Sequence, residues 1–479
     1  MPDLIDELHN TLGAGGVLTQ AADVTAYVED WRGRYRGPVA AVVLPGSTEQ
    51  VSAIVRICSR HGVPVLPQGG NTSLSGGAVP PAAGVPPVVV SLQRMRRIRS
   101  IDAANNTITV DAGCVLASVQ DAAVAAGRLY PVSLGAEGSC LVGGTIATNA
   151  GGTGVLRYGN TRDNVLGLEV VLPDGTVWDG LYALRKNNTG YDLKHLFIGS
   201  EGTLGIVTGA VLKLHPLPTA HAMAWLSVAN PQAALDLLAI LQSGCGTQLS
   251  AFELLDENQI RLVVEQVPGR RCPVAEPAGW HVLVELADAG DAAALDARLE
   301  AALAPALESG LILDAAIATS GAQRAQFWEF RHSVSEANKK GGVGLTSDTA
   351  VPVSAVPAFI DAATAAVHRI VPDLPIVIVA HLGDGNVHFI PFFSFEAWAD
   401  LADKDAMAHD VRRVVNDVAA AFGGTFGAEH GVGQTLVPEM ARYKPPVELR
   451  LMHAMKRALD PKGLFNPGRL LPPEDQEPA

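Results

Sequence analysis

Two histidines in one apolar segment are the residues of this sequence whose spacing points most directly to chemistry. Residues 375–390 read Pro-Ile-Val-Ile-Val-Ala-His-Leu-Gly-Asp-Gly-Asn-Val-His-Phe-Ile and contain His381 and His388. If Asp384-Gly385 forms a two-residue β-turn, His381 lies directly opposite His388. Directly opposed Cβ atoms lie about 5 Å apart and point to one face, so the segment predicts two imidazoles able to share a divalent ion. An ordinary hairpin with two exposed histidines is the alternative.

An acid and a third imidazole occur together in a glycine-flanked segment further along the chain. Residues 426–433 read Phe-Gly-Ala-Glu-His-Gly-Val-Gly and contain Glu429 and His430. A solvated surface pair is the commoner explanation of such a dipeptide, because charged loop residues usually face water. Beside the two histidines, however, Glu429 supplies the carboxylate that a metal site would use.

Three glycine-rich segments, residues 67–77, 135–152 and 186–205, mix Gly with Ser, Thr and Asn. Glycine permits positive φ and close approach of the backbone to a ligand, and successive N–H groups can form a concave anion site. Tight turns are the alternative for any one of them. Neither G-x-G-x-x-G nor G-x-x-x-x-G-K-[ST] occurs, which argues against a Rossmann or P-loop site.

The first of these segments is positioned by a predicted strand, helix and strand. Residues 40–44 and 63–66 are short apolar runs, and between them the Ser47 and Gln50 spacing of a capping box predicts a helix over residues 48–60. The second run leads directly into the first glycine segment. The pattern therefore predicts a loop held at the end of a buried strand.

The pattern of predicted strands and helices changes after residue 217, near the prolines of His-Pro-Leu-Pro. Strands over 222–228, 248–255, 281–286 and 311–318, with helices over 232–242 and 292–307, give the order βαββαβ of ferredoxin-like domains. We therefore predict an α+β protein with domains at residues 1–217 and 218–425. Residues 426–479 form a helical C-terminal segment that returns to the first domain.

Composition narrows the classes of function. The 479 residues carry a formal net charge of -14 and include five cysteines, none in a C-x-x-C pattern. This charge disfavours nucleic acid as a partner, and the scattered cysteines indicate reduced, structural thiols. With no apolar run long enough to cross a bilayer and no signal peptide, we expect a cytoplasmic location.

The three glycine segments closely resemble the FAD-binding domain of the vanillyl-alcohol oxidase flavoprotein superfamily, over about residues 37–216. The resemblance implies a vanillyl-alcohol oxidase-type domain and noncovalent FAD, since the first loop lacks a histidine for covalent attachment. The residues to which it assigns cofactor binding are Gly69, Gly70, Asn71, Thr72, Ser73, Gly135, Ser139, Gly143, Gly144, Asn149, Gly152, Gly199, Gly202 and Ile206.

The motifs His-Leu-Gly-Asp-Gly-Asn-x-His and Glu-His-Gly-x-Gly, followed by Leu-Phe-Asn-Pro-Gly at residues 464–468, resemble the C-terminal domain of FAD-linked D-2-hydroxy-acid dehydrogenases. That resemblance implies a divalent metal, with zinc and manganese as the candidates. The roles that it implies are metal ligation by His381, His388 and Glu429, proton abstraction by His430, substrate carboxylate binding by Arg331 and closure over the flavin by Asn466.

The family resemblance implies oxidation of a small D-2-hydroxy acid to the 2-oxo acid, with hydride passing from C2 to the flavin. In the hydroxyglutarate-type members a lysine and an asparagine stand where this chain has Thr346 and Ile390. Loss of that cation and amide favours a D-lactate-like substrate. D-2-hydroxyglutarate is the alternative.

The resemblance also implies an electron acceptor, for which a quinone, a cytochrome or an electron-transfer flavoprotein are the options, and a homodimer is the assembly considered. An oxidase that reduces oxygen directly is a further alternative, which peroxide release would reveal. A metal-dependent hydrolase and a noncatalytic flavin protein are the remaining alternatives. The hydrolase requires a colourless protein, and no H-E-x-x-H motif supports it.

Overall fold

The computed structural model describes residues 2–13, 15–275 and 279–474. Contacts divide the chain into two compact units. Unit 1 comprises Met1–Gly152, Gly159–Leu217 and Glu429–Ala479 so far as they are described, and unit 2 comprises Thr153–Tyr158 and Pro218–Ala428. The short segment Thr153–Tyr158, which the sequence interpretation placed in the first domain, thus belongs to unit 2.

The strands are numbered in chain order. They are β1 (Val17–Leu18), β2 (Ala41–Val43), β3 (Val65–Gln68), β4 (Val88–Ser91), β5 (Ile98–Asp102), β6 (Thr107–Asp111), β7 (Arg128–Leu129), β8 (Val165–Val171), β9 (Val177–Gly180), β10 (Ile206–Lys213), β11 (His215–Pro216), β12 (Ala220–Val228), β13 (Leu249–Asp256), β14 (Trp280–Asp288), β15 (Asp314–Ile317), β16 (Val343–Gly344), β17 (Ser347–Ala350), β18 (Ile376–His381) and β19 (Asn386–Phe393).

The helices are numbered in the same way. They are α1 (Pro2–Leu12), α2 (Ala21–Val28), α3 (Thr48–His61), α4 (Leu116–Ala125), α5 (Val142–Ala147), α6 (Val155–Tyr158), α7 (Lys194–Phe197), α8 (Pro231–Cys245), α9 (Glu257–Gln266), α10 (Ala292–Glu308), α11 (Gly321–His332), α12 (Val334–Gly341), α13 (Val356–His368), α14 (Phe395–Ala399), α15 (Lys404–Ala421), α16 (Val437–Tyr443) and α17 (Pro446–Leu459).

Unit 1 is built on a four-stranded sheet of order β1-β2-β4-β3 and a five-stranded sheet of order β5-β6-β10-β8-β9. β2 and β3 run parallel to β4, which lies between them. The predicted helix between β2 and β3 is α3, and the Ser47 hydroxyl caps it by accepting the Gln50 N–H at 3.3 Å. Apolar residues of α3 and of both sheets pack into one buried core. The loop after β3 therefore starts from a strand that is packed in this core.

Unit 2 contains one large sheet of order β15-β12-β14-β13-β18-β19-β16, with β17 also paired to β19. Its first four strands, with α8 and α10, reproduce the predicted βαββαβ order. One additional helix, α9, lies between β13 and β14, where the sequence reading had no element. The hairpin of β18 and β19 then extends the sheet beyond β13.

The two faces of this sheet carry different layers. One face packs against α8, α10, α13 and α15 through residues such as Leu226, Leu254 and Phe389. The opposite face packs against α9, α11 and α12 through alternate residues such as Trp225, Leu255 and Val379. Because side chains alternate along a strand, the sequence position of each strand residue determines which layer it faces.

All five cysteines are free thiols, and four of them are buried. Burial raises the pKa of the Cys58 thiol to about 12 and that of the Cys140 thiol to about 12, which keeps both protonated and unreactive. Among the described residues, no helix combines the length and hydropathy that crossing a bilayer requires.

Candidate active site

The hairpin of β18 and β19 places His381 and His388 differently from the predicted register. His381 lies opposite Asn386, and His388 lies opposite Val379. The prediction of a two-residue turn was therefore wrong, because residues 382–385 form a four-residue connection. The His381 carbonyl accepts two N–H groups, from Asp384 and Gly385, each at 3.1 Å, which widens the turn.

The two imidazoles nevertheless meet on one face of the sheet. The observed register differs from the predicted one by two residues, and a shift of two leaves every side chain on its original face. The ring centroids of His381 and His388 lie 5.5 Å apart, with their planes at 81°. Both side chains are largely buried, with 9% and 14% of their surface exposed. Unit 2 thus presents two imidazoles in one small region.

Two carboxylates lie on the same face of the sheet, and the sequence reasoning missed both. Glu253 of β13 lies opposite His381, and Asp348 of β17 lies opposite His388. Directly opposed residues share a face, so each acid lies on the same face of the sheet as the imidazole that it opposes. No local signal relates Glu253 to the hairpin, since it is 128 residues from His381 in the chain.

Glu253 is buried and bonded at both of its oxygens. Oε1 lies 2.7 Å from His381 Nδ1, and Oε2 accepts a hydrogen bond from Arg331 Nε at 2.8 Å and forms an ion pair with Arg331 Nη2 at 2.7 Å. Burial alone would raise the pKa of Glu253, but the charges and hydrogen bonds of His381 and Arg331 outweigh burial and lower that pKa to about 2. The carboxylate therefore stays ionised between the two groups.

Arg331 is positioned by the apolar side of α11. Phe327 and Phe330 are buried and pack edge-on against Trp225, with ring centroids 6.0 and 5.2 Å away. The helix begins after Ser320, whose hydroxyl accepts the Gln323 N–H at 3.3 Å. Arg331 thus approaches the site face of the sheet, where the Glu253 carboxylate joins it to His381.

Asp348 is held beside His388 by the hairpin itself. The Asn386 amide donates to Asp348 Oδ1 at 3.1 Å and to the Thr349 carbonyl at 2.9 Å. Asp348 Oδ1 lies 3.8 Å from His388 Nδ1, which is within ion-pair range but longer than a hydrogen bond. Unit 2 therefore combines two imidazoles, two carboxylates and one guanidinium, a donor set that suits a divalent metal and an anionic ligand.

Glu429 and His430 belong to unit 1 and lie in a loop bonded to the second glycine segment. Glu429 Oε2 accepts the Gly152 N–H at 3.1 Å, and Glu429 Oε1 lies 3.6 Å from His430 Nε2. The structure thus brings Glu429 together with Gly152, one of the residues expected at the cofactor. About a fifth of each of the Glu429 and His430 side chains is exposed.

The loop after His430 is fixed by a buried acid that the sequence reasoning also missed. Both oxygens of Glu201 accept backbone N–H groups at 2.7 Å, from Val432 and Gly433. Burial raises the pKa of Glu201, and these two N–H groups oppose that shift. The Ser75 hydroxyl, from the first glycine segment, donates to the Gly431 carbonyl at 2.9 Å. The first and third glycine segments, which are expected at the flavin, therefore also hold the loop after His430 through Ser75 and Glu201.

The close fit of this loop leads to a prediction for Gly433. Its φ is +52°, and a Cβ there would lie 2.0 Å from the Ser75 carbonyl oxygen. We expect Gly433→Ala to displace the His430 loop and to slow substrate-dependent flavin reduction at least about tenfold, a loss of about 1.4 kcal/mol. Gly468→Ala is the matched control, because its φ is +72° and no atom lies within 4 Å of an added Cβ. Equal rates in both variants would contradict the prediction.

The first two glycine segments pack directly against each other. A Cβ on Gly70 would lie 2.2 Å from the Ser139 carbonyl oxygen, and the ideal Cβ of Gly69 lies 3.4 Å from Gly144 Cα. A Cβ on Gly143 would lie 2.9 Å from the Ala112 Cβ. At Gly70, glycine is therefore required by the close contact between two backbones.

Other residues of these segments stabilise the loops themselves. Asn71, with φ of 54°, donates through its side chain to the Glu29 carbonyl at 2.8 Å. The Ser73 hydroxyl accepts N–H groups from Ser75 and Gly77 at 3.2 and 3.3 Å. Thr72 adjoins these residues in the same loop.

The third segment and the C-terminal segment complete this arrangement in unit 1. Gly199 N–H donates to the Ile146 carbonyl at 3.0 Å, and Gly202 has φ of 70° beside Pro67. Asn149 has φ of 50°, and Ile206 is buried at the start of β10. The Asn466 amide donates to the carbonyls of Gly77 at 3.2 Å and Glu201 at 2.7 Å.

A bound group can approach the backbone on one side of these loops. An added Cβ on Gly135 or Gly144, two residues expected at the cofactor, would have no atom within 4 Å, so these glycines border open space. The second segment thus contains both tightly packed glycines, such as Gly143 and Gly152, and open ones. This cradle of backbone fits a cofactor that lies along the loops, as the sequence resemblance implies for FAD.

Comparison with known families agrees with both units. Residues 39–180 match the model of an FAD binding domain, and residues 217–470 match that of the C-terminal domain of FAD linked oxidases. The second match covers more than half of the chain.

Several curated relatives are similar over nearly the whole chain. One is named D-2-hydroxyglutarate dehydrogenase, from Xanthomonas citri pv. viticola, and is 38% identical, with 98% of this chain and 97% of the relative covered. The mitochondrial D-2-hydroxyglutarate dehydrogenase of Arabidopsis thaliana is 36% identical over 96% of this chain and 80% of its own length. A protein of Schizosaccharomyces pombe assigned as a D-lactate dehydrogenase is 33% identical over 94% of this chain and 85% of its own length.

Solved structures share the fold at low sequence identity. A p-cresol methylhydroxylase matches with a TM-score of 0.72 at 17% identity, covering 98% of this chain and 96% of that one. An alkyldihydroxyacetonephosphate synthase matches with a TM-score of 0.74 at 18% identity, covering 98% and 86%. These likenesses confirm the expected α+β fold class with its FAD-binding domain.

Proposed function

The chain belongs to the family of FAD-linked oxidases, and from this premise we propose that it oxidises a D-2-hydroxy acid to the corresponding 2-oxo acid. The observation that carries the proposal is the pair of imidazoles 5.5 Å apart in a chain that also has an FAD-binding domain. The paired rings and the nearby Arg331 provide metal-ligand and anion-binding chemistry, which are what a 2-hydroxy carboxylate needs.

We assign roles to the chain's own side chains as follows. His381 and His388 offer imidazole nitrogens and Glu429 a carboxylate oxygen to a divalent metal, with zinc and manganese as the candidates. When bound, that metal would act as a Lewis acid on the substrate hydroxyl, and FAD, held noncovalently, would accept the hydride. Arg331 binds the substrate carboxylate through its guanidinium N–H groups, and His430 accepts the hydroxyl proton on its imidazole.

The proposed substrate has a small apolar group on C2, as D-lactate has. Ile390 follows His388 by two residues and so lies on the same face of β19, where it packs with Val377 and Phe392. Thr346 is exposed and uncharged at the position where a lysine was expected for a second carboxylate. These residues provide apolar surface beside the imidazoles and no charge for a distal acid.

D-2-hydroxyglutarate is the second candidate, and one observation favours it. Relatives with that name reach 38% identity, whereas the relative assigned as a D-lactate dehydrogenase reaches 33%. The electron acceptor, whether quinone, cytochrome, electron-transfer flavoprotein or oxygen, remains part of the proposal, as do the homodimer and the cytoplasmic location.

The experiment that tests the proposal is anaerobic mixing of the purified protein with D- and L-2-hydroxy acids while flavin absorbance is followed. We expect D-lactate and other short D-acids to bleach the flavin and the L-acids to leave it oxidised. Bleaching by D-2-hydroxyglutarate alone would move the assignment to the second candidate. Bleaching by none of the acids, or by L-acids only, would contradict the proposed substrate class.

A charge-addition variant tests the choice between the two acids. We expect Thr346→Lys to raise the ratio of kcat/KM for D-2-hydroxyglutarate to that for D-lactate at least about tenfold, because a cation gains about 1.5 to 3 kcal/mol from a hydrogen-bonded carboxylate. Thr25→Lys makes the same exchange on the exposed surface of α2 and should leave the ratio unchanged. An unchanged ratio in Thr346→Lys would show that the distal group lies elsewhere.

A further inference from the structure

We propose that Glu253 is a positioning residue that sets both the tautomer of His381 and the orientation of Arg331. This inference rests on the proposed function in one respect, namely that His381 binds a metal. One buried carboxylate would then couple a metal ligand to the group that binds the substrate carboxylate.

The geometry supports a specific role because each oxygen of Glu253 serves a different partner. Oε1 faces His381 Nδ1 at 2.7 Å, while Oε2 accepts the Arg331 Nε–H at 2.8 Å and lies 2.7 Å from Arg331 Nη2 in an ion pair. The Glu253 side chain is 2% exposed, so water does not compete for either oxygen. Its place in β13, directly opposite His381, fixes the distance by the register of the sheet.

The tautomer follows from the inventory of donors and acceptors. Glu253 Oε2 accepts from Arg331 Nε, and Oε1 of a carboxylate paired in this way acts as an acceptor, so His381 Nδ1 carries the hydrogen of the 2.7 Å contact. In the neutral ring the lone pair is then on Nε2, which becomes the atom able to bind a metal. Metal-binding histidines commonly donate their other N–H to a carboxylate in this way.

Stability alone does not account for this arrangement. Burying charged groups costs several kcal/mol per ion, and apolar replacements of such groups are often neutral or stabilising. Asp256, three residues later in the same strand, shows what a structural acid does here. It accepts the N–H groups of Gln259 and Ile378, each at 3.0 Å, and so caps α9 and ties it to β18. Glu253 instead bonds only side chains with chemical roles.

The variant Glu253→Gln tests the inference with little change of shape. A glutamine has one acceptor oxygen and one amide donor, so when the oxygen faces Arg331 the amide faces His381 Nδ1. That contact favours the other tautomer, with hydrogen on Nε2. We expect the affinity for added Zn²⁺, measured by competition with a chelator, to fall about 10- to 100-fold. KM for the hydroxy acid should rise more than kcat falls, since Arg331 loses its charged partner.

Two further measurements separate positioning from general support of the fold. Asp256→Asn is the matched control, a buried acid of the same strand that should keep wild-type Zn²⁺ affinity. Nitrogen-15 spectra of histidine-labelled, metal-free protein should show His381 protonated at Nδ1 in the wild type, with His381→Ala identifying the signal. Because this spectrum is recorded on the wild type, it tests the inference even if Glu253→Gln does not fold.

The outcomes are distinct for the inference and for the proposed function. Unchanged Zn²⁺ affinity in Glu253→Gln, or a wild-type His381 protonated at Nε2, would overturn the inference and leave the proposed function standing. A wild type that binds no metal would overturn the metal role in the proposed function, and the inference with it. Weaker Zn²⁺ binding in Glu253→Gln, together with wild-type Zn²⁺ binding in Asp256→Asn, would support the inference.

Discussion

Replacing His381 by alanine is expected to abolish both metal binding and substrate-dependent reduction of the flavin. The variant removes one of two imidazoles that lie 5.5 Å apart and also leaves the buried Glu253 carboxylate with one partner fewer. Removing one partner of a buried ionic contact costs about 3–5 kcal/mol, and a cost of that size in the reaction barrier corresponds to a loss of activity of roughly 10²- to 10⁴-fold. Elemental analysis after gel filtration and anaerobic rapid mixing measure the two effects.

A control for this variant is His409→Ala in α15, where the side chain is 69% exposed and lies in ion-pair range of its neighbour Asp410. We expect His409→Ala to keep wild-type metal content and rates. Thermal unfolding should then show whether His381→Ala remains folded. A folded His381→Ala protein that bleaches its flavin at the wild-type rate would remove this histidine from the mechanism.

The second large effect is expected at Gly70, where two cofactor loops meet. A Cβ would lie 2.2 Å from the Ser139 carbonyl oxygen and 3.0 Å from Cys140 Cα, and neither backbone atom can move without moving its loop. Overpacking of this kind costs about 1–3 kcal/mol or more, which corresponds to about 5- to 150-fold weaker binding. We therefore expect Gly70→Ala to purify with little FAD, seen as low flavin absorbance relative to protein.

Gly138→Ala serves as the control in the neighbouring loop. An added methyl there meets no atom within 4 Å, and Gly138 is not among the residues expected at the cofactor. It should retain FAD like the wild type. If Gly70→Ala retains full FAD while Gly138→Ala loses it, the open side of the loops rather than their contact controls cofactor binding.

Local patterns predicted the elements well and the long-range pairings poorly. The short apolar runs and the capping-box spacing of Ser47 and Gln50 predicted β2, α3 and β3 within a few residues. The helix α9 was missed although Asp256 is a good N-cap, accepting the Gln259 N–H at 3.0 Å. Its short run of helix-forming residues follows a strand directly, so the strand pattern masked its start.

In the candidate site, too, local patterns were easier to predict than the pairing of distant strands. The dipeptide Asp384-Gly385 is a strong two-residue turn signal, but two N–H groups share one carbonyl and enlarge the connection. His381 and His388 still lie on one face of the sheet, as predicted, because the register differs from the predicted one by an even number of residues. The sequence alone did not point to Glu253, because a buried acid within an apolar run can be assigned to a site only when the strand that pairs with it is known.

The order of unit 1 along the chain has a consequence for biosynthesis. Unit 1 needs residues from both ends, and β3 pairs with the last segment through the Val65 N–H to the Leu464 carbonyl and the Asn466 N–H to the Val65 carbonyl. The ribosome delivers Leu464 roughly 400 residues after Val65, so these contacts close one of the longest loops in the chain. Apart from the short Thr153–Tyr158 segment, unit 2 is continuous and can fold during translation. FAD loading is therefore expected to await synthesis of the segment that contains Leu464 and Asn466.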